Sequence, residues 1–285
     1  MGVLSRSWEI TKLTFSVMKK EKELFIFPVL SVIFSIAFFV AILFPTIILE
    51  LISQQTITWE IIDYIWIFLT YLVLAFIATF FNVCVVYTAA CAFGNQEARF
   101  GKTIKFALSK IHIIFFWSLL SATVGLIFKI IEGVAQKTKG VGKIIIIITS
   151  SLFKMAWGIS TIFVIPGLVY HSLSPFAAIK KSVEVLRKTW GESLIRYLSV
   201  NLISFVFIFV GTILGVPIII TGFFVSFVVG ILAAVVFNIY ILSVILVFSV
   251  ANQIFNTALY IYAESGAVPS PYSNELLRNA FKIRK

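Results

Sequence analysis

The sequence predicts an all-α fold: a polytopic bundle of about six transmembrane helices, with basic amphipathic helices at the membrane interface. Composition is the first observation, because 60% of the 285 residues are apolar and only 12% are charged. Soluble domains carry roughly 45–50% apolar and about 25% charged residues, and a soluble core of this length cannot bury the excess. The second observation is that long apolar runs alternate with short segments that hold most of the Lys and Arg.

The N-terminal segment, residues 1–23, is predicted to form an interfacial helix. Trp8, Phe15 and Met18 recur at helical spacing, and basic residues surround them. A second apolar group on the same segment weakens this amphipathic pattern. The apolar run that starts at Leu24 is too long for a signal peptide and has no small-residue cleavage site, so we expect it to remain as a span.

Six apolar segments are predicted to cross the bilayer within one integral membrane domain, residues 1–285. The predicted spans lie at about 24–49, 60–92, 111–131, 144–171, 194–215 and 227–261. Each has at least the roughly 20 residues that a transmembrane helix needs.

Prolines and glycines predict where these spans bend or end. Pro28 and Pro45 each remove an intrahelical hydrogen bond, so we expect the first span to bend. The Gly-rich residues 132–143 are predicted to form a loop. We also expect a break at residues 215–217, which interrupt the last apolar run. That run is long enough for three spans, so seven spans remain an alternative to six.

Two further interfacial helices are predicted in the basic connectors 93–110 and 172–193. In the second, Ser174 and Pro175 supply an N-cap and a first-turn proline. The predicted apolar stripes comprise Phe100, Ile104 and Leu108 in the first connector and Phe176, Ile179, Val183, Leu186 and Trp190 in the second. The side chains predicted to contact the lipid surface, which is expected to be anionic, are Lys102, Lys105, Lys180, Lys181, Arg187 and Lys188.

The distribution of Lys and Arg predicts the orientation. With six spans, the cytoplasmic segments hold 5, 4, 5 and 4 basic residues and the opposite segments 0, 4 and 0, counting Lys129 and Arg196 with the connectors they adjoin. Seven spans reduce this contrast from 18 against 4 to 14 against 8. The positive-inside rule therefore favours six spans in the cell membrane, with both termini cytoplasmic. Because a basic segment precedes each outward span, we also predict three repeats of a surface helix and a membrane hairpin.

The sequence contains no motif for catalysis, a cofactor or a metal ion. Cys84 and Cys91 stand on one helix face without a CxxC pair, and His112 and His171 lie at span ends. The HExxH and GxSxG patterns are absent. We therefore expect no enzyme activity and no cofactor. The net charge of +11 lies in the connectors, which indicates a membrane surface and not nucleic acid as the partner.

Four polar side chains inside the predicted spans are candidate intramembrane sites, namely Lys154, Asn82, Asn201 and Asn238. Lys154 is either functional or extends to the outer interface. The asparagines either line a path or, as is more usual, bind neighbouring helices. Gly211 and Gly215 form a GxxxG motif, which predicts close helix packing or a homo-oligomer.

Four stretches of the chain carry a family resemblance. They are KEKELFIFPVLS (20–31), WSLLSATVGLIF (117–128), AWGISTIFVIPGLVYHSLSPFAAIKKSVEVLRKTWGE (156–192) and ALYIYAESGAVPSPYSNELLRNAF (258–281). Together they resemble a family of uncharacterised bacterial and archaeal polytopic membrane proteins, a domain of unknown function. A looser similarity is to the membrane domain of some glycerophosphodiester phosphodiesterases. The resemblance implies a helical membrane fold and transfers no catalytic residue.

These observations predict a non-enzymatic integral membrane protein that organises the membrane or interacts with its lipids. The alternative is a transporter or channel for a small or lipid-like solute. That alternative rests on the repeats, on the proline-interrupted spans and on the intramembrane asparagines.

Overall fold

The computed structural model describes residues 3–45, 48, 61–190 and 199–281. These residues are almost entirely helical and include no strand, which confirms the all-α prediction. The helices are α1 (Val3–Lys20), α2 (Glu23–Phe38), α3 (Ile61–Phe93), α4 (Phe100–Ser109), α5 (Ile111–Lys137), α6 (Gly140–Ser160), α7 (Val164–His171), α8 (Pro175–Trp190), α9 (Ser199–Val225), α10 (Phe227–Ser265) and α11 (Asn274–Phe281).

Among the described residues, six helical stretches are long and apolar enough to cross a membrane, in agreement with the predicted multi-pass bundle. They are Glu23–Ile42, Tyr64–Phe93, Ile111–Lys137, Val141–His171, Val200–Val225 and Phe227–Ser265. The chain divides into two compact units. The first unit comprises Met1–Phe25, Thr88–Glu97 and Lys188–Lys285, and the second comprises Ile26–Tyr87 and Ala98–Arg187.

The prolines interrupt the helices unequally. A π-helix at Phe39–Leu43 follows α2 directly, and the Phe44 N–H donates to the Phe39 carbonyl. This wider turn lies where the ring of Pro45 opposes an ordinary helical bond. By contrast, α9 runs through Pro217 without a break, so the turn predicted at residues 215–217 is wrong. One missing hydrogen bond leaves the remaining bonds of a long helix intact.

The connections inside the hairpins are shorter than the sequence suggests. Helix α5 continues to Lys137 and α6 begins at Gly140, so only two residues separate them, and the predicted loop at 132–143 is mostly helical. Gly140 has φ +64°, a backbone conformation that glycine adopts without strain. Helices α9 and α10 are separated by Ser226 alone, whose Oγ accepts a hydrogen bond from the Val229 N–H.

The fourth span is interrupted at residues 161–163, between α6 and α7. Pro166 cannot donate to the Ile162 carbonyl, and its ring excludes that carbonyl from the helical position. The N–H of Phe163, which the interruption releases, donates to Ser182 Oγ of α8 at 3.1 Å. The interruption thereby fixes α8 against this span.

The three surface helices α1, α4 and α8 each pack on a different pair of the long apolar helices. Helix α4 lies against α2 and α3, through the stacked ring pairs Phe27–Phe100 and Tyr87–Phe106. Helix α8 lies against α5 and α7, where Ala178 belongs to a buried apolar cluster. Helix α1 lies against α9 and α10. The second and third surface helices thus pack on the pair before them, and the first packs on the last. The three repeats of a surface helix and the hairpin that follows it stay a prediction.

Candidate functional site

The three surface helices turn small side chains inward. The small buried side chains are Ser7, Thr11 and Thr14 in α1, Thr103 and Ala107 in α4, and Ala178 and Ser182 in α8. Larger side chains are buried beside them, namely Ile10, Val17 and Met18 in α1 and Val185 and Leu186 in α8. Small side chains allow helix backbones to approach closely, and the buried hydroxyls find partners, as Thr11 and Thr14 do in the carbonyls of Ser7 and Ile10. The inner faces therefore differ from the predicted apolar stripes.

The bulky residues of those stripes divide between exposed, half-buried and buried positions. Met18 of α1 is buried, and Phe100 of α4 is exposed although its ring stacks on Phe27. Phe176 is 74% exposed and Trp8 is 55% exposed, and Leu108 is also exposed. In α8, Leu186 alone of the predicted stripe is fully buried, while Ile179 and Val183 are half-buried and the Trp190 side chain lies outside the described residues. In a membrane, an exposed apolar side chain faces lipid, so an apolar stripe need not be the face that packs on protein.

Most of the predicted basic contacts lie on the same outer surfaces. Lys102, Lys105, Lys180 and Arg187 are exposed. Lys181 is half-buried and has an interaction within the chain. The side chain of Lys188 lies outside the part of α8 whose side chains are described.

Lys154 forms an ion pair with Glu132. Its Nζ also lies 5.6 Å from the centroid of the Phe128 ring, within reach of a cation–π interaction. Both partners belong to the α5–α6 hairpin, so the pair joins the two helices of one hairpin. A neutralised pair of this kind is an ordinary arrangement for an ionisable side chain in a span.

One of the three predicted asparagines joins two helices. Asn252 donates to Asn201, which joins α10 to α9. Asn238 is exposed and donates to the Ala234 carbonyl of its own helix at 2.9 Å. Asn82 is half-buried and has an interaction within the chain. The contact of Asn201 is the kind by which polar side chains hold neighbouring membrane helices together.

The GxxxG motif brings α9 and α10 together. A Cβ at Gly211 would overlap the Tyr240 ring, and a Cβ at Gly215 would overlap the Phe237 ring. The Tyr240 hydroxyl donates to the Phe207 carbonyl at 2.9 Å, which fixes this ring over the glycine. Packing within one chain therefore accounts for the motif that also suggested a homo-oligomer.

A cavity of about 620 Å³ lies between α1, α9 and α10, and the sequence patterns did not indicate it. Its walls are mainly apolar, and Lys12 and Lys19 stand among its lining residues. A second cavity, of about 610 Å³, lies along α9 and α10 and shares Tyr240 with the first. One sequence signal could have indicated this cavity. Lys12 and Lys19 are spaced i, i+7, which puts both charges on one face of α1 near Phe15.

Helix α1 is anchored at its inner face by Tyr272. The Tyr272 hydroxyl shares a 2.8 Å hydrogen bond with Thr14 Oγ1. Its ring packs against Phe93 and Phe255, with centroids 6.1 and 6.0 Å away. Burial raises the pKa of Tyr272 well above its usual value.

Within the described ranges, no group of three His, Cys, Asp or Glu side chains is close enough to hold a metal ion. Cys84 and Cys91 are both buried, and neither forms a disulfide.

Comparison with known proteins places most of the chain in a family. The family model described as a family of unknown function (DUF6159) matches residues 61–270. No curated protein and no solved structure matches the chain. The match confirms the expected uncharacterised family, and helices α1 and α2 lie outside the matched range.

Proposed function

Because the chain belongs to DUF6159, a family of unknown function, we propose its role from the surface helices: it is a non-enzymatic integral membrane protein that binds anionic lipid and organises the membrane around it. The cell membrane is the proposed location, with both termini and the three surface helices on the cytoplasmic side. The distribution of Lys and Arg along the chain supports this orientation.

The outer face of α8 carries this proposal. Ala178 and Ser182 are buried against protein, whereas Phe176 and Lys180 are exposed one turn apart. An exposed phenylalanine beside an exposed lysine suits the boundary between acyl chains and lipid headgroups. Helix α4 repeats the pattern with Leu108 and Lys105.

The test measures lipid preference in reconstituted vesicles. Energy transfer from the tryptophans to pyrene-labelled phosphatidylglycerol or phosphatidylcholine reports which lipid gathers around the protein. We expect wild type to prefer phosphatidylglycerol and the variant Lys102→Gln/Lys105→Gln/Lys180→Gln/Arg187→Gln to lose most of that preference. Each basic residue near an anionic surface contributes about 1 kcal/mol, so the loss should be severalfold.

The matched control removes three exposed lysines, Lys137, Lys139 and Lys143, from the connector on the opposite side. In vesicles that carry phosphatidylglycerol only in the leaflet facing the surface helices, this control should keep the wild-type preference. Equal gathering of the two lipids around wild type, or an unchanged preference in the quadruple variant, would remove the proposal.

A transporter for a lipid-like solute is the second candidate. The interruption at residues 161–163 and the apolar cavity beneath α1 support it, because broken helices and cavities are features of transporters. Translocation of a labelled lipid between the leaflets of protein-containing vesicles, absent from empty vesicles, would favour it. The looser similarity to the membrane domain of glycerophosphodiester phosphodiesterases stays a prediction, based on Pro166 followed by the basic helix α8.

A further inference from the structure

The cavity beneath α1 has the size and lining of a ligand site. Its volume of about 620 Å³ lies within the roughly 300–1,000 Å³ that small-molecule sites occupy. Its apolar walls include Phe15, Phe207, Tyr240, Val244, Val247 and Phe248. Water is a poor occupant of an apolar cavity, so this lining selects a hydrocarbon group.

The hydroxyl groups in the lining already have backbone acceptors. Thr11, Ser16, Ser243 and Tyr240 donate to the carbonyls of Ser7, Leu13, Ile239 and Phe207 at 2.6 to 2.9 Å. Lys12 and Lys19 are different, since neither ammonium group has an ion-pair partner among the residues described for this chain. The polar groups left to meet a ligand are therefore cationic, and they select an anion.

The two lysines are placed to share one headgroup. They lie seven residues apart on α1, which is two helical turns or about 10 Å along the axis. Both are exposed, and Trp8 lies exposed on the same lined face. Tryptophan at such a position is typical of the headgroup level of a bilayer.

The exposure of α10 puts the cavity at the edge of the hydrocarbon layer. From Phe227 to Leu242 the large apolar side chains are mostly exposed, whereas most of those between Val250 and Tyr260 are buried. The exposed part, Phe227 to Leu242, is about 24 Å long, which is most of the roughly 30 Å thickness of the hydrocarbon core, and Val247 of the cavity lining lies about 7 Å beyond it. The lysines thus lie at headgroup depth and the apolar walls at acyl depth.

The second cavity extends the apolar surface along the hairpin. It runs along α9 and α10 beside Gly211 and Gly215 and reaches Val229. The rings of Tyr240 and Phe237 pack on these glycines and form part of the wall. Tyr240 lines both cavities, so an extended chain that enters beneath α1 can continue along the hairpin.

We propose that α1, α9 and α10 form a binding site for a single anionic phospholipid. Its phosphate lies between Lys12 and Lys19, and one acyl chain fills the cavity and continues past Tyr240 along α9 and α10. Charge complementarity argues for this occupant over a neutral lipid or a second copy of the chain. The site is separate from the outer faces of α4 and α8, so it does not depend on the proposed role of those faces.

The test is native mass spectrometry of the full chain, released from nanodiscs that contain equal phosphatidylglycerol and phosphatidylcholine. Wild type should retain one phosphatidylglycerol molecule. Lys12→Gln/Lys19→Gln should lower that retention about tenfold, because two charges at the phosphate are lost. Lys20→Gln/Lys22→Gln removes the same charge from exposed positions outside the lining and should retain the lipid as wild type does.

A second measurement locates the acyl chain. Phosphatidylglycerol with a photoreactive acyl terminus should cross-link to peptides of α9 and α10, and Ser243→Phe, which fills the cavity from the exposed side of α10, should abolish that cross-link. Equal retention of both lipids, equal loss in both lysine variants, a dimer mass without lipid, or cross-links confined to other helices would overturn the proposal. A changed lipid preference in the α4 and α8 variant, with retention intact, would affect the proposed function alone.

Discussion

Helices α1 and α8 share one building plan, but α8 covers a filled core and α1 covers a cavity. Beneath α8, Ala178 meets Val164, Leu168 and Trp117. Trp117 stacks on Trp157 with ring centroids 6.0 Å apart and planes 5° from parallel. Beneath α1, the aromatic walls include Phe15, Phe207 and Tyr240, and about 620 Å³ remains between the lining side chains. The stacked indole rings of Trp117 and Trp157 help to fill the space beneath α8, whereas the side chains beneath α1 leave a cavity.

The lysines of the two helices differ in the same way. Lys180 and Arg187 lie exposed on α8, whereas Lys12 and Lys19 lie at the cavity on α1. Under our two proposals, the same arrangement of helices gives a general lipid-binding surface at α8 and a site for one lipid at α1. The difference depends on what fills the space behind the helix.

The largest effect is expected from emptying the core beneath α8. Trp117→Ala should lower the free energy of unfolding by about 3–5 kcal/mol, because it removes a buried ring and leaves a cavity. Thermal unfolding in detergent, followed by tryptophan fluorescence, measures the loss. Phe176→Ala on the exposed side of the same helix should change stability by less than about 0.5 kcal/mol. Similar losses from both variants would mean that α8 does not cover a filled core.

An intermediate effect is expected from adding a methyl group at Gly211, where α9 and α10 are in close contact. Gly211→Ala places a methyl group against the Tyr240 ring and should destabilise the protein by about 1–3 kcal/mol through overpacking. Gly158→Ala is the matched control in α6, where no atom lies within 4 Å of the added group. It should be neutral or slightly stabilising, since alanine favours helix. An unfolding midpoint unchanged by Gly211→Ala would contradict the close contact of α9 and α10.

The smallest effect is expected from Tyr272, which anchors α1, and it concerns the pH dependence of stability. Burial raises the pKa of Tyr272 above the value of about 10 for an unfolded chain. The unfolded state then loses its proton first, so this contribution to stability is complete below about pH 10 and disappears as the pH rises through the folded pKa. The unfolding midpoint of wild type should fall between pH 9 and 11 by about 1–2 °C more than that of Tyr272→Phe. Equal slopes would show that the hydroxyl is not buried.

Hydropathy predicts the helices and their number because crossing a bilayer demands long apolar runs, whatever the details of packing. It does not predict the inner faces. Phe176 and Val164 are equally apolar, yet one is exposed and the other buried, because lipid and protein core are similar solvents for such side chains. Ser182 and Thr14 look like polar surface residues in the sequence, and they are the buried contacts of α8 and α1.

The cavity escapes prediction for a related reason. It is a volume that several helices leave open, and no single segment carries a pattern for it. Lys12, Phe207 and Val247 are far apart in sequence and line it together. The turn expected at residues 215–217 failed because the lost bond of Pro217 is one among many in α9.

The packing partner of each surface helix determines how soon after its synthesis the helix can dock. Helices α4 and α8 emerge after the helix pairs on which they dock, so each can settle as soon as it is made. Helix α1 emerges first, but its partners α9 and α10 are the last pair synthesised. At about 5–20 residues per second, roughly 200 residues of synthesis separate α1 from its partners by ~10–40 s. Throughout that interval the Trp8 and Lys12 face of α1 is without α9 and α10, the two helices that line the cavity with it.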